Sequence, residues 1–135
     1  MLKVFVYGTL KPGECNYNPY CERKVKELYP AYTLGCLYNL PFGYPAMTAG
    51  TQKVQGFLLT FTEENHLQSL DRLEGCVAGR PMDHLSYYRE QVKVYNPQGI
   101  YLTEAWAYLM TTAQVGMCGG KVIVSGSWHS PEKEG

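Results

Sequence analysis

The strongest candidate for acid–base chemistry is a glutamate at the end of a predicted helix. In the segment HLQSLDRLEG, the side chains of Leu67, Leu70 and Leu73 form one apolar stripe at about 100° per residue. Glu74 falls inside that stripe and Asp71 lies at its margin, so the pattern aims a carboxyl group inward. Burial and the negative end of the helix dipole both raise the pKa of such a carboxyl, toward what a general base near neutral pH requires.

A structural interpretation of Glu74 stays open on the residues alone. The side chain can turn to solvent at the fraying end of the helix, or it can form a structural ion pair. The arginines available for that pair are Arg72, Arg80 and Arg89.

A second candidate lies where the first predicted strand ends, at Tyr7, Gly8, Thr9 and Leu10, the 7–10 loop. Glycine permits a sharp turn there, and successive main-chain N–H groups at such a turn can hold a carboxylate or a developing oxyanion. An ordinary strand-ending turn is the alternative.

Other residue types support chemistry less well. Cys76 and His84 could be a thiol nucleophile and its base, but no third residue is evidently placed to orient the histidine. The five cysteines include no C-x-x-C pair and the three histidines are widely separated, so neither a disulfide framework nor a metal site is predicted. Several tyrosines could line a pocket or simply pack half-buried: Tyr38, Tyr44, Tyr87, Tyr88 and Tyr108.

Alternating apolar residues and turn signals predict the strands that must position these groups. The predicted strands are residues 2–7, 33–40, 54–61, 87–95, 104–110 and 121–125. The nearly continuous apolar run 54–61 predicts a central strand, and the turn 96–99 predicts an antiparallel hairpin between the strands that flank it. Residues 11–20 are turn-forming and 21–28 are a short helix or an irregular excursion.

One helix is predicted, over residues 63–74, with Thr62 as its N-cap and Gly75 at its end. The length of 135 residues, with 14 Gly and 12 Tyr, favours one β-rich domain over residues 1–129 and a frayed polar tail over 130–135.

Charge and hydropathy exclude several classes of function. Twelve Lys plus Arg balance twelve Asp plus Glu, which gives no basic patch for nucleic acid or an acidic membrane. No apolar run approaches the roughly 20 residues that span a bilayer. The first residues indicate a strand rather than a signal peptide, so we expect a soluble, cytoplasmic protein.

Seven motifs in order resemble the γ-glutamylcyclotransferase-like family, which includes the γ-glutamylamine and butirosin-type cyclotransferases and AIG2-like proteins. They cover nearly the whole chain, and YGTL, YPAM and LDxLEG at these separations carry most of the signal. The motifs are VYGTLKPG (6–13), GCLYNLPFGYPAM (35–47), VQGFLL (54–59), LDRLEG (70–75), YxRxxVxV (87–94), AWAY (105–108) and SGSW (125–128).

The resemblance implies an α+β fold, a small mixed β-barrel with few helices, and release of a γ-glutamyl group as 5-oxoproline without a cofactor. Glu74 would be the catalytic acid and base. Substrate binding would fall to the 7–10 loop (Tyr7, Gly8, Thr9 and Leu10), with Tyr87 and Tyr108 as further pocket residues.

The segment 76–86 matches no family pattern that we can align, so the leaving group stays open among amino acids, amines and larger metabolites. The expected partner is a small γ-glutamyl substrate, with neither nucleic acid nor membrane, and the expected state is a monomer or weak dimer. The alternative function is a non-catalytic protein that binds a γ-glutamyl or other small carboxylate ligand in the same pocket.

Overall fold

A computed structural model describes residues 2–74 and 87–130 of the chain. Within these ranges the chain forms six strands and three short helices. In chain order these are β1 (Leu2–Val6), α1 (Tyr17–Tyr20), β2 (Val25–Asn39), β3 (Pro45–Phe61), α2 (His66–Glu74), β4 (Tyr88–Tyr95), β5 (Tyr101–Leu109), α3 (Thr112–Cys118) and β6 (Lys121–Val122).

The strands form one mixed sheet that curls back on itself. Its order is β3-β1-β5-β4-β2-β6, and β2 also pairs with β3, so the pairings of five strands return to their start. All pairs are antiparallel except β1–β5, where Val4 lies opposite Trp106. The α+β class with few helices is confirmed.

The long hairpin of β2 and β3 is the largest element of the sheet. The two strands pair from Val25 opposite Phe61 to Asn39 opposite Pro45. Both extend well beyond the predicted strands 33–40 and 54–61. The ladder continues on both sides of an irregularity at residues 49–51, which have no partner in β2. The expectation of a short helix or an irregular excursion over 21–28 is wrong from Val25 onward, because these residues pair with the end of β3. The apolar run 54–61 does lie inside the sheet, between β1 and β2.

The alternation along β1 divides the core into two clusters. Leu2, Val4 and Val6 pack in one cluster, which also contains Leu70 of α2. Phe5 and Tyr7 face the other, among the inner faces of β3, β4 and β5. The predicted alternation of residues 2–7 is therefore confirmed, and β1 is buried on both faces.

The predicted hairpin between residues 87–95 and 104–110 is also confirmed. β4 and β5 pair antiparallel, from Tyr88 opposite Leu109 to Tyr95 opposite Tyr101. The side chain of Asn96 accepts hydrogen bonds from the main-chain N–H of Gln98 and Ile100, at 3.0 and 2.9 Å, which fixes the turn between the strands.

Helix α2 begins at His66 rather than at the predicted residue 63. The main-chain N–H of Thr62 still donates to Lys24 O, 2.9 Å away, which extends the sheet's hydrogen bonding past Phe61. Residues 63–65 form turns instead, in which the N–H groups of residues 66–68 donate to carbonyls three positions earlier. The Thr62 hydroxyl lies 3.4 Å from His66 Nε2 and caps no main-chain N–H.

Three further differences concern the ends of the chain. Strand β6 covers only Lys121–Val122 instead of 121–125, because the chain turns after Ile123, where the N–H of Gly126 donates to Ile123 O at 3.1 Å. Gln52 Nε2 donates to the carbonyls of Ile123 and Val124 in this turn. Helices α1 and α3 were not predicted. A capping box of Thr111 with Gln114, and left-handed Gly119 after the last turn, mark α3 in the sequence.

No helix within the described ranges is long and apolar enough to cross a membrane. Of the predicted polar tail, residues 131–135 lie outside the described residues.

Alanine substitutions at two glycines should change stability in opposite directions. A Cβ on Gly56 would lie 2.2 Å from the carbonyl oxygen of Val6 and 2.8 Å from the ring of Phe5, whereas one on Gly116 of α3 meets nothing within 4 Å. We expect Gly56→Ala to destabilise the protein by about 3 kcal/mol, since neither neighbour can move freely. Gly116→Ala should instead stabilise it by about 0.5 to 1 kcal/mol. Denaturant unfolding of both variants checks this, and an unchanged midpoint for Gly56→Ala contradicts the packing of β1 on β3.

Candidate active site

Glu74 is the last residue of α2, and it lies on the face of the helix that packs on the sheet. Leu70, one turn earlier, is 1% exposed, and Leu67 and Leu73 pack against the same core cluster. The Glu74 side chain is partly exposed as a whole, but its carboxyl group lies among protein atoms. This loss of hydration raises the pKa of Glu74 to about 7.

Four tyrosine rings from separate parts of the chain approach the Glu74 carboxyl. They are Tyr7 after β1, Tyr44 before β3, Tyr87 before β4 and Tyr108 in β5. Burial is the main reason that the pKa of each phenol is raised, and the charge of Glu74 acts in the same direction on all four. The carboxyl therefore sits at a junction of tyrosines.

Three of these tyrosine hydroxyls are engaged within the protein. The Tyr7 hydroxyl donates to the main-chain oxygen of Tyr108 (2.5 Å) and accepts from the main-chain N–H of Met47 (3.1 Å). The Tyr87 hydroxyl donates to Pro45 O at 2.6 Å. The Tyr108 hydroxyl donates to Asp71 Oδ1 at 2.7 Å. These bonds hold the rings in place around the carboxyl.

The 7–10 loop begins with Tyr7 and forms a tight turn. The main-chain N–H of Lys11 donates to Gly8 O at 3.0 Å, and that of Asn16 donates to Thr9 O at 2.9 Å. Gly8 packs so closely on Pro45 that a Cβ there would lie 2.7 Å from its ring. This close approach is the reason that glycine is required at this position.

The main-chain N–H groups of Gly8, Thr9 and Leu10 have no acceptor among residues 2–74 and 87–130. Gly8 and Leu10 are buried, and Thr9 is partly buried. Because buried N–H groups normally have an acceptor, a succession of N–H groups without one in these ranges is suited to an anionic ligand.

Lys11 fastens the far end of the loop to the C-terminal part of the chain. The side chain is buried, and its ammonium group donates to the main-chain oxygen of Trp128. Trp128 is in turn held by a hydrogen bond from its indole N–H to Asn39 Oδ1, 3.2 Å away. The motifs at the two ends of the chain therefore meet beside the site.

The structure brings Glu74 together with Tyr7, Tyr87 and Tyr108, and Gly8, Thr9 and Leu10 follow Tyr7 in the chain. Their roles with substrate stay predictions. Arg89, considered as a partner of Glu74, instead places Nε 3.2 Å from Asp71 Oδ1. Asp71 is the site residue that sequence reasoning did not select, although its place one turn before Glu74 marks it.

The remaining sequence candidates are either outside the described residues or on another face of the sheet. The segment 76–86, with Cys76, Arg80 and His84, lies outside the described residues. Tyr88 packs against the other core cluster, on the opposite face of β4. Within the described ranges no three His, Cys, Asp or Glu side chains are grouped so that they could hold a metal ion.

A family model described as gamma-glutamyl cyclotransferase, AIG2-like, matches residues 4–130. The chain belongs to this family. No curated protein matches the chain significantly.

Solved structures share the family's fold. A mouse AIG2-like protein is similar with a TM-score of 0.68 at 18% identity, over 98% of this chain and 92% of its own. The Escherichia coli protein ytfP is similar at 26% identity and a TM-score of 0.57, over 99% of this chain and 100% of its own. Bacillus subtilis YkqA is similar at 24% identity and a TM-score of 0.64, over 94% of this chain; the match spans only 39% of YkqA.

The burial of Glu74 gives a stability test that needs no substrate. Because its pKa in the folded protein is about 7, above the ordinary 4.5, the folded state holds the proton more tightly. The stability that the protonated Glu74 carboxyl contributes is fully present below pH 4.5, and it is lost as the pH rises through 7 and the buried carboxyl ionises. Glu74→Gln cannot ionise, so we expect it to exceed wild type in stability by about 2 kcal/mol at pH 8.

Chemical denaturation at pH 4.5 and pH 8 measures this difference, which should nearly vanish at the lower pH. Glu104→Gln, at an exposed position of β5, is the matched control and should show no such dependence. A Glu74→Gln variant that is less stable than wild type at pH 8 contradicts the conclusion that burial destabilises the ionised form of Glu74.

Proposed function

We propose that the protein is a γ-glutamyl cyclotransferase, which converts a γ-glutamyl amide into 5-oxoproline and a free amine. The observation that carries this proposal is the Glu74 carboxyl, desolvated to a pKa of about 7, at the same junction as the Tyr7 ring that precedes the 7–10 loop. The carboxyl is suited to move a proton, and the main-chain N–H groups of the loop are suited to hold an anion.

The proposed reaction is an intramolecular acyl transfer. The free α-amino nitrogen of the glutamyl group attacks its own γ-carbonyl carbon and forms a C–N bond that closes a five-membered ring. The carbonyl oxygen becomes an oxyanion in the tetrahedral intermediate. When that intermediate collapses, the C–N bond to the leaving amine breaks. The atoms balance without water or any other co-reactant.

Glu74 would carry the proton between the two nitrogens. Its carboxylate accepts the proton that the attacking nitrogen loses, and the resulting acid donates it to the departing amine. A pKa of about 7 suits both halves of this transfer, because the two forms are similarly populated near neutral pH. The buried rings of Tyr7, Tyr87 and Tyr108 support this role by keeping water away from the carboxyl.

The main-chain N–H groups of the 7–10 loop would hold the glutamyl group and stabilise the oxyanion. Donors that are already fixed before the reaction lower the barrier because they need not reorient as charge develops. The loop is fixed by Lys11 and Asn16 and by its packing on Pro45. Holding the substrate folded for attack is itself worth up to about 7–11 kcal/mol in favourable intramolecular reactions.

The decisive experiment measures 5-oxoproline by mass spectrometry after incubation with a panel of γ-glutamyl amino acids, amines and larger γ-glutamyl metabolites. We expect wild type to release 5-oxoproline from at least one of them. Glu74→Gln should lower kcat by at least about 100-fold while the circular dichroism spectrum stays unchanged, because the amide has the same shape but cannot accept the proton. Glu104→Gln serves as the control. A loss of tenfold or less in Glu74→Gln contradicts the role given to this residue.

The pH dependence of the active substrate gives an independent check. Because the carboxylate form accepts the first proton, kcat should rise with pH and level off above an apparent pKa of about 7. A kcat that is flat between pH 5 and 8 contradicts proton transfer by Glu74. Binding of γ-glutamyl compounds by calorimetry, with no 5-oxoproline from any of them, supports the ligand-binding alternative instead.

A further inference from the structure

Asp71 lies one helical turn before Glu74 and binds two residues of the sheet through a single oxygen. Its Oδ1 accepts the hydroxyl of Tyr108 at 2.7 Å and lies 3.2 Å from Arg89 Nε. The two partners lie directly opposite each other on β4 and β5, and therefore on the same face of the sheet. Asp71 thus ties the last turn of α2 to both strands of one hairpin.

The sheet side of this contact is itself restrained. The guanidinium carbon of Arg89 lies 4.4 Å from the centre of the Trp106 ring, which limits where the arginine can point. The phenol of Tyr108 is buried. A carboxylate at position 71 therefore meets one hydrogen-bond donor and one positive charge, both already restrained by the sheet.

Tyr108 also connects the helix to the 7–10 loop. Its hydroxyl binds Asp71, while its main-chain oxygen accepts the hydroxyl of Tyr7 at 2.5 Å. Hydrogen bonds thus connect Asp71 of α2, through Tyr108 of β5, to Tyr7, the first residue of the loop. Helix α2 and the 7–10 loop are therefore both hydrogen-bonded to Tyr108.

We propose that Asp71 is a positioning residue: by binding Tyr108 and Arg89 it sets where the Glu74 carboxyl lies relative to the 7–10 loop. The inference rests on the proposed function for its kinetic consequence. Apolar packing of Leu70 and Leu73 alone leaves a helix end free to slide or rotate, whereas a directional hydrogen bond from Tyr108 together with an ion pair to Arg89 restrains it. A displacement of about 1 Å at a reacting group can cost about 100-fold in rate.

A mutant series on both sides of the bond tests the proposal. Tyr108→Phe removes only the hydroxyl and changes no charge. Asp71→Ala removes the acceptor, and Asp71→Asn keeps an oxygen that can still accept from Tyr108. Tyr29→Phe is the matched control, because it also removes a tyrosine hydroxyl that donates to a carboxylate, Glu27 Oε2 at 2.6 Å, on an exposed part of β2.

The kinetic readout separates positioning from a general loss of structure. We expect Asp71→Ala to lower kcat by about 100-fold and Tyr108→Phe by about tenfold, with KM near the wild-type value. Asp71→Asn should recover most of the rate. Combining Tyr108→Phe with Asp71→Ala should be no worse than Asp71→Ala alone, because both remove the same bond.

A second readout uses no substrate and so separates this inference from the proposed function. Carbon-13 NMR of the Glu74 carboxyl should show a titration midpoint of about 7 in wild type. In Tyr108→Phe the carboxyl should become more hydrated, and the midpoint should fall toward 4.5 although no charge has changed. Among the described residues, the charged and titratable groups near Asp71 or Glu74 that the titration must take into account are Tyr7, Tyr44, Tyr87, Arg89 and Tyr108, with exposed Arg72 next to Asp71 in the helix.

The outcomes are distinct. If Tyr108→Phe matches Tyr29→Phe in both kcat and the Glu74 midpoint, or if the double variant is additive, Asp71 does not position Glu74. If wild type releases no 5-oxoproline but the midpoint shifts as expected, the positioning role stands and the proposed function is wrong. If Asp71→Ala fails to fold, Tyr108→Phe and Asp71→Asn decide, since both keep the shape of the residue that they replace.

Discussion

The hydroxyl of Tyr7 joins three strands at the point where the site forms. It donates to Tyr108 O in β5 and accepts from Met47 N in β3, while its own main chain continues from β1 into the 7–10 loop. Each of those strands then carries something that the site needs. β5 carries the Tyr108 hydroxyl that meets α2, and β3 begins at Pro45, whose ring lies against Gly8 and whose oxygen holds Tyr87. This hydroxyl therefore links the 7–10 loop to the strand whose Tyr108 binds α2.

The Glu74 carboxyl at the centre of this arrangement has lost much of its hydration. Glu74 is kept beside buried phenols, whose hydroxyls are bonded to other groups, and burial raises its pKa to about 7. A buried carboxylate costs folding energy at neutral pH, and a neutral residue of the same shape would avoid that cost. The neighbouring Asp71 shows the contrast, because it lies one turn away and has a charged partner in Arg89. Two carboxyls of one helix are thus placed in environments suited to different roles.

Similar folds at 17–26% identity show how few residues this architecture requires. The curled sheet depends on alternating apolar residues, which many sequences can supply. The site depends on particular groups at particular places, such as glycine against Pro45 and a hydroxyl on Tyr108. The family relationship therefore establishes the framework and leaves the substrate open.

Much of the local structure could be predicted because it depends on neighbours in the chain. Alternation placed residues 2–7 on two faces of a strand, and the turn at 96–99 joined β4 to β5 as expected. The helical stripe of leucines turned Glu74 toward the sheet. The predicted start of α2 was wrong by three residues, since residues 63–65 form turns and the Thr62 hydroxyl contacts the His66 ring. Helix α3 was missed, since a seven-residue helix has little periodicity to detect.

The sequence by itself placed Glu74 on the apolar side of its helix, with a solvent-facing or ion-paired side chain as the alternative, and predicted a glycine turn after the first strand. Only the tertiary structure decided that Glu74 and Tyr7 both lie near Tyr108, and that Asp71 pairs with Arg89. Periodicity tells which face of an element is buried, but it does not tell what lies opposite. Tyr7 and Tyr108 are 101 positions apart, and they meet because the sheet curls until β1 lies parallel to β5. That closure is a property of the whole chain, and no local segment encodes it.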